Sequence, residues 1–388
     1  MAILLGVGLL SEPLAFSYAG WIGGTILITF YGWLTCYTAK ILAKLIRQDA
    51  SLRTYTDIAR KAFGPRATGF TSALFCLELF TLSVVLVTLF ADSLHEVAPA
   101  YSADTYKILA FVILLPTTFL PLSLLSYASL VGVASTLFII FVVVFDGLSK
   151  TQAPGSLWDP AETTWGAASP LKLTLAFGLF MAGFSGHAVI PSLALDMEQP
   201  EDFDRVMDIA FTATTFLYAL IGAAGYIMFG SDISPEISQD LLHMPGYNAS
   251  LNELCVWMLV VVPLTKYALA SRPLNITVEL LLGLNSPAPV PVHDHEHASN
   301  HTGWGAAVVI ERTALVALTA AVAVLIPDFS ASMAFLGSFS AFVLCVLLPI
   351  CAKVAVERRC SALDAVLLAV SCAMAASGTA AAFFAAAE

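Results

Sequence analysis

Apolar residues in this chain do not alternate with polar ones. They fill long runs near 1–18, 20–46, 67–91, 107–123, 126–149, 171–195, 206–229, 251–283, 304–326, 331–353 and 362–386. Between them lie short stretches such as APGSLWDP at 153–160 and SDISPEISQD at 231–240, punctuated by Pro, Gly, Ser and Asp. A helix of about 20 apolar residues crosses the ~30 Å hydrocarbon layer of a bilayer, where every backbone N–H and C=O must find a partner inside the segment. Unalternating runs of that length predict α-helices. The expected architecture is an all-α membrane protein of about eleven transmembrane helices, a single transmembrane domain over residues 1–388. No polar stretch is long enough to fold a core of its own.

Composition agrees: 59% of residues are apolar, 12% are charged and the mean hydropathy is +0.85, outside the range of soluble domains. No P-loop, HExxH or GxSxG occurs, so neither an enzyme nor a cofactor is expected. The formal net charge of -11 is read as solvated loops on both faces, because Asp and Glu contribute little to topology; no nucleic-acid partner is expected. Lys and Arg do set topology. Lys40, Lys44, Arg47, Arg53, Arg60, Lys61 and Arg66 follow the second run, and Arg205, Arg272, Arg312, Lys353, Arg358 and Arg359 fall on the same side, against Lys107, Lys150 and Lys172 on the other. This bias predicts a cytosolic N-terminus and, after an odd number of crossings, a luminal or external C-terminus. Cys36, Cys76, Cys255, Cys345, Cys351 and Cys372 lie in or at the ends of apolar runs and form no CxxC, as expected of small packing residues. The stretch ending in SYAG resembles a signal-peptide cleavage site, but it lacks a basic start and contains Glu12 and Pro13.

Two runs are broken, the first by GVGLLSEP at 6–13 and the sixth by GFSGHAVIP at 183–191. A break frees backbone groups that cost several kcal/mol each in lipid unless they line a cavity or bind something. Either break alone could be a packing or kink device. Together they say more, because runs one and six head two sets of five helices, and an odd count turns the second set upside down. Paired broken helices at matching places point to an inverted-repeat transporter with a midplane site. The expected repeats are 1–149 and 170–355, with 361–387 as an extra C-terminal helix. Half-helix N-termini there suit a carboxylate and freed carbonyls suit a cation.

The stretches GVGLLSEPLAFSYAGWIGG, LTCYTAKILAKLI, LELFTLSVVLVTLFADSL, GFSGHAVIPSLALDMEQPEDF and YIMFGSDISPEI resemble the amino acid/auxin permease family, with the greatest likeness to fungal vacuolar amino acid transporters. The resemblance runs in order over nearly the whole chain. It implies a LeuT-like five-plus-five inverted repeat with one appended helix, moving amino acids across the vacuolar membrane on a proton gradient. It also implies a substrate site at Gly6, Val7, Gly8, Leu9, Leu10 and Ser11 in helix one and at Gly183, Phe184, Ser185, Gly186 and His187 in helix six. Family members carry a tail and a half-helix before the GVG segment, whereas five residues precede Gly6 here, so the chain is expected to start late or to be a fragment. Leu9, Leu10 and Phe184 favour a neutral substrate. The implied partners are that amino acid, protons and the lipid bilayer; nothing in the sequence names a protein partner.

Ionisable residues inside a membrane are functional candidates by default. Glu12 adjoins the first break, Glu78 lies 11 residues into the third run, Lys266 follows Thr265 in the eighth, and His187 sits in the sixth. Lys266 either snorkels to the cytosolic interface or serves as a fixed cation where sodium-coupled relatives of the fold place an ion. Glu78 is either a structural carboxylate or a proton carrier, and at similar depth it could face Lys266. His187 either bonds freed carbonyls or titrates. Glu12, Glu78, Thr265 and Lys266 form the ion-coupling set. The run HDHEHASNH, with His293, His295, His297 and His301, is read as a solvated loop, since its spacing offers no metal-binding face. Besides a transporter, two other functions stay open: a non-transporting amino acid sensor, for which the cytosolic loops are short, and a divalent-metal transporter, for which no run supplies paired ligands.

Overall fold

The computed structural model describes residues 7–49, 51–120, 122–284, 305–326 and 328–387, whose regular structure is helical with no strand among them. Gly6 and the His293–His301 run lie outside the described residues. The helices in order are α1 (Glu12–Gln48), α2 (Tyr55–Phe63), α3 (Arg66–Val97), α4 (Ala103–Leu114), α5 (Leu122–Ser149), α6 (Pro170–Gly183), α7 (Ile190–Asp196), α8 (Phe203–Phe229), α9 (Ile237–His243), α10 (Ala249–Leu281), α11 (Ala306–Leu325), α12 (Phe329–Phe335), α13 (Leu348–Glu357) and α14 (Ala362–Ala387). A π-helical stretch, Leu336–Leu347, joins α12 to α13.

Among the described residues nine stretches are long and apolar enough to cross a membrane. Two differences from the sequence reading account for the number. The stretch Val7–Gln48 covers the first two expected crossings, and α1 is interrupted at Gly20, whose φ of 69° only glycine adopts freely. Phe16 and Gly24 would stand about 12 Å apart on a straight helix; instead the Phe16 ring packs on Gly24, so the chain turns back at Gly20. The expected crossing at 107–123 is α4, ended by a 3-10 turn at Leu115–Phe119 where Pro116 removes an N–H donor.

The packing places the two breaks at the centre. The second arm of α1, residues 21–48, runs along α8, while α3 lies along α10. Helix α6 packs on the first arm of α1 and on the π-helical stretch, and Gly178 and Gly337 bring those backbones together with no room for a side chain.

The two membrane faces differ in chemistry. On the basic face, Lys40–Asp208, Lys44–Glu357 (2.8 Å) and Arg47–Asp204 (2.9 Å) tie α1 to α8 and α13. Helix α2 is amphipathic, opens on a Thr54–Asp57 capping box, and is anchored by the Tyr55 hydroxyl donating to the Leu344 carbonyl. On the opposite face, Trp21 and Ile22 donate to the Thr164 and Trp165 carbonyls, each at 3.1 Å, so the loop before α6 seals the Gly20 turn.

Two cations counted above in the side bias are buried. Arg312 sits inside α11, its Nε and Nη2 donating to Glu279 Oε1 of α10 at 3.0 and 2.9 Å and its Nη1 to the Thr118 carbonyl at 2.7 Å. Lys107 is 1% exposed and pairs with Asp104 at 3.5 Å.

Candidate functional site

In the first segment, Val7–Ser11 forms a fully buried 3-10 turn leading into α1. The Ser11 hydroxyl turns back to donate to the Gly8 carbonyl at 3.0 Å. Glu12 opens the α-helix in its first turn, where the helix dipole favours a negative charge, so the carboxylate of the chain itself occupies this end.

The sixth run breaks as the sequence suggests. Helix α6 ends at Gly183, Phe184–Gly186 are not helical, Gly186 takes φ 126°, and a 3-10 turn His187–Val189 leads into α7. Freed groups find partners on neighbouring helices. The Tyr218 hydroxyl of α8 donates to the Gly183 carbonyl at 3.1 Å, and the Phe184 ring meets Tyr218 edge-on at 5.5 Å. His187 Nε2 lies 2.9 Å from the Thr35 carbonyl and 3.0 Å from Thr38 Oγ1. A carbonyl can only accept, so this network assigns the proton to Nε2; Nδ1 is buried without a partner among the described residues. Ser185 is half-buried at the mouth of the break.

The breaks meet. A Cβ on Gly8 would stand 2.6 Å from Gly183 Cα, and one on Gly183 would stand 2.6 Å from Tyr218 Cε2 and 2.9 Å from Glu12 Oε1. Gly8, Gly183, Glu12 and Tyr218 thus form one cluster. Glu12 is fully buried, and neither carboxylate oxygen has a hydrogen-bond partner among the described residues. A charge in that condition costs several kcal/mol, so an ionised Glu12 would need a partner that the surrounding side chains do not supply.

On the other side of the first break lies a void of about 10 Å³, about one water in size. Its walls are Val7, Leu9 and Leu10, with Leu89 of α3, Thr136 and Ile139 of α5, and Leu259 and Val262 of α10. Glu12 stands away from this void, against α8. Phe184 is not on its wall.

The remaining candidates separate. Lys266 follows Val262 by four residues on α10, about 6 Å along the axis, and reaches α5, where a Cβ on Gly132 would lie 3.3 Å from its Cε. The Thr265 hydroxyl donates to the Val262 carbonyl at 2.8 Å. Glu78 precedes Leu89 by 11 residues, about 16 Å toward the basic face. Its electrostatic neighbours are Tyr55 and Cys345, and no ion pair joins it to Lys266 among the described residues. The similar depth inferred by counting along each run fails by about 10 Å once both residues are measured from the shared void.

Sequence reasoning missed Tyr218 and the Glu279–Arg312 pair. A tyrosine in an apolar run resembles any core aromatic, and the pair joins α10 to α11 across a connection that obscures its spacing.

The profile of the family described as transmembrane amino acid transporter protein matches residues 2–384. From Arabidopsis thaliana, amino acid transporter AVT1D is 31% identical over 363 residues, covering 89% of this chain and 60% of that protein. Amino acid transporter AVT1C is 31% identical over 370 residues, covering 92% and 62%. The chain therefore spans about three-fifths of the length of these relatives. A solved structure, the inward facing conformation of Mhp1, aligns with a TM-score of 0.50 and 14% identity over 99% of this chain and 87% of that one. That likeness establishes the LeuT-like fold of this all-α, multi-pass membrane protein. By the match to nearly its whole length, the chain belongs to the transmembrane amino acid transporter protein family, a family of transporters rather than enzymes.

Proposed function

We propose that this chain carries amino acids with neutral side chains across a membrane by alternating access around residues 7–11 and 184–189. Its driving force is a proton gradient and its site of action the vacuolar membrane. The observation that carries the reading is the close approach of Gly8 to Gly183 with Glu12 buried and unpartnered beside them. It brings the irregular backbone of two helices to one point inside the bundle, the arrangement from which inverted-repeat transporters build a midplane site. Family membership and the names of the relatives supply the substrate class.

The walls of the adjacent void are apolar apart from Thr136, which favours a neutral side chain. A void the size of one water is far smaller than any amino acid, so the helices around it must part to load and unload cargo. Glu12 carries the coupling proton in this reading, because it faces away from the void and stands against α8. Reconstituted uptake of labelled neutral amino acids into proteoliposomes tests the proposal. Uptake should require an imposed pH gradient and be unchanged when sodium is replaced by potassium. Absence of uptake for every proteinogenic amino acid, with the protein folded and inserted, would leave the sensor reading in its place.

A further inference from the structure

On the face opposite the basic loops, carboxylates converge from three elements. Asp92 and Glu96 end α3, Asp104 opens α4, and Glu236 and Asp240 come from the connection after α8. Lys107 lies among them, bonded to Asp104 at 3.5 Å. His243 Nε2 stands 3.3 Å from Glu96 Oε2, and His95 donates from Nδ1 to the Tyr101 carbonyl at 2.8 Å. Asp240 accepts from the backbone N–H and the hydroxyl of Ser234 at 3.0 and 2.7 Å, which fixes the turn before α9. Beyond Asp240 stand Tyr247 and Asp146 of α5, with Lys150 over the Tyr247 ring at 5.6 Å.

Glu236 is the anomaly. It is 1% exposed, its Oε1 is covered and has no hydrogen-bond partner among the described residues, and its electrostatic neighbours are the like-charged Asp92 and Glu96. Three carboxylates cannot all ionise around a sealed group without a large penalty.

We propose that Glu236, Asp92 and Glu96 form a proton-binding site, and that the bound proton holds α9 and its preceding turn docked against the end of α3. The polar ties that remain are two, the His243–Glu96 bond and the Asn252 side chain donating to the Leu241 carbonyl at 3.0 Å, beside the buried side chains of Ile233, Ile237 and Leu241. When the proton leaves, a charge remains buried beside two others, and the docked segment is what can move to let water reach it. Burial first, and then Asp92 and Glu96, push the Glu236 carboxyl well above the usual carboxylate range. The docked arrangement is therefore fully stabilised below the ordinary carboxylate pKa and loses that stabilisation as pH rises through the raised value.

Hydrogen–deuterium exchange on the full chain in nanodiscs tests this without any transport substrate, so it stands apart from the proposed function. Rates for peptides covering 233–244 are corrected for intrinsic chemistry and compared from about pH 5 to about pH 8. The corrected rate should rise at least about tenfold with pH in the wild type and stay flat in Glu236→Gln. A flat wild-type profile overturns the proposal, as does a Glu236→Gln protein that opens like the wild type. Should Glu236→Gln fail to fold, Asp92→Asn, which removes part of the repulsion and leaves the His243–Glu96 tie in place, must open several-fold less than the wild type at high pH. Unchanged opening there also overturns it.

Discussion

Gly8 and Gly183 touch backbone to backbone: the nearest atoms to a Cβ on Gly8 are Gly183 Cα at 2.6 Å and Gly183 N at 2.9 Å. Neither atom belongs to a flexible side chain, so a larger residue must push the two breaks apart. Overpacking of this kind costs about 1–3 kcal/mol, little enough for a membrane bundle to survive. Gly8→Ala should cut reconstituted uptake about tenfold or more, an order-of-magnitude expectation from that cost, and Gly8→Val should abolish it. Elution profile and membrane insertion should be retained. Wild-type uptake by Gly8→Val would remove the contact from the mechanism.

The Glu279–Arg312 pair holds α10, α11 and the 3-10 turn after α4 in one unit, and Glu279 is fully buried. Removing one partner of a buried pair leaves an uncompensated charge, at a cost of about 3–5 kcal/mol. Arg312→Met should lower the thermal unfolding midpoint in detergent by several degrees. The double variant Glu279→Met with Arg312→Met should recover most of the loss, since matched apolar residues replace such pairs with little penalty. Additive losses in the double variant would show that the two side chains act independently.

Residue patterns made the membrane class, the crossings and the positions of both breaks legible, because apolar run length and glycine-flanked interruptions follow directly from the bilayer's demand for satisfied backbone. What the pattern did not carry was lateral. Arg312 lies inside the run 304–326, but no spacing pairs it with Glu279 until α10 and α11 are seen side by side, and Tyr218 gains its role only because α8 lies beside Gly183. Glu78 and Lys266 seem level when counted from their own helix ends. Counted instead from the void between α3 and α10, they are not, because Glu78 lies 11 residues from Leu89 and Lys266 only four from Val262.

His187 joins the sixth-helix break to the second arm of α1 through Thr35 and Thr38. Loss of a buried hydrogen-bonded side chain costs about 1–3 kcal/mol, and here the cost falls on a segment that must move. His187→Ala should lower uptake more than stability. Thr38→Val should have a small effect, because the Thr35 carbonyl still accepts. Equal damage from both substitutions would place the hydroxyl, not the carbonyl, at the centre of the link.

The basic bias predicts that residue 51 faces the cytosol and the connection after α8 the opposite compartment. Ser51 and Ser231 are exposed, whereas Ser238 in that same connection is 3% exposed and a poor reporter. Single cysteines at 51 and 231 should react with an impermeant maleimide from opposite sides of sealed vesicles. The native cysteines must first be replaced, because Cys360 and Cys372 are exposed. Reaction of both sites from one side would break the topology.

Proton coupling should depend on Glu12 and not on Glu78. Both are buried carboxylates in the membrane, but only Glu12 touches the breaks, its Oε1 lying 2.9 Å from where a Gly183 Cβ would stand. Glu78 lies about 16 Å along α3 from Leu89, beside Tyr55 and Cys345, where a change of charge would have to act through α2 and the π-helical stretch to reach the cargo. Glu12→Gln should therefore flatten the pH dependence of uptake while leaving exchange of labelled for unlabelled amino acid across the membrane. Glu78→Gln should keep the wild-type pH profile and change mainly thermal stability. Lys266, one turn from Val262, is the lysine nearest the void on α10, and Lys266→Met should lower uptake without creating a sodium requirement. The decisive comparison is the pair of glutamates in the same proteoliposomes under the same gradients. If Glu78→Gln flattens the pH profile and Glu12→Gln preserves it, the proton travels by α3, and Glu12 is a structural carboxylate serving the start of its own helix.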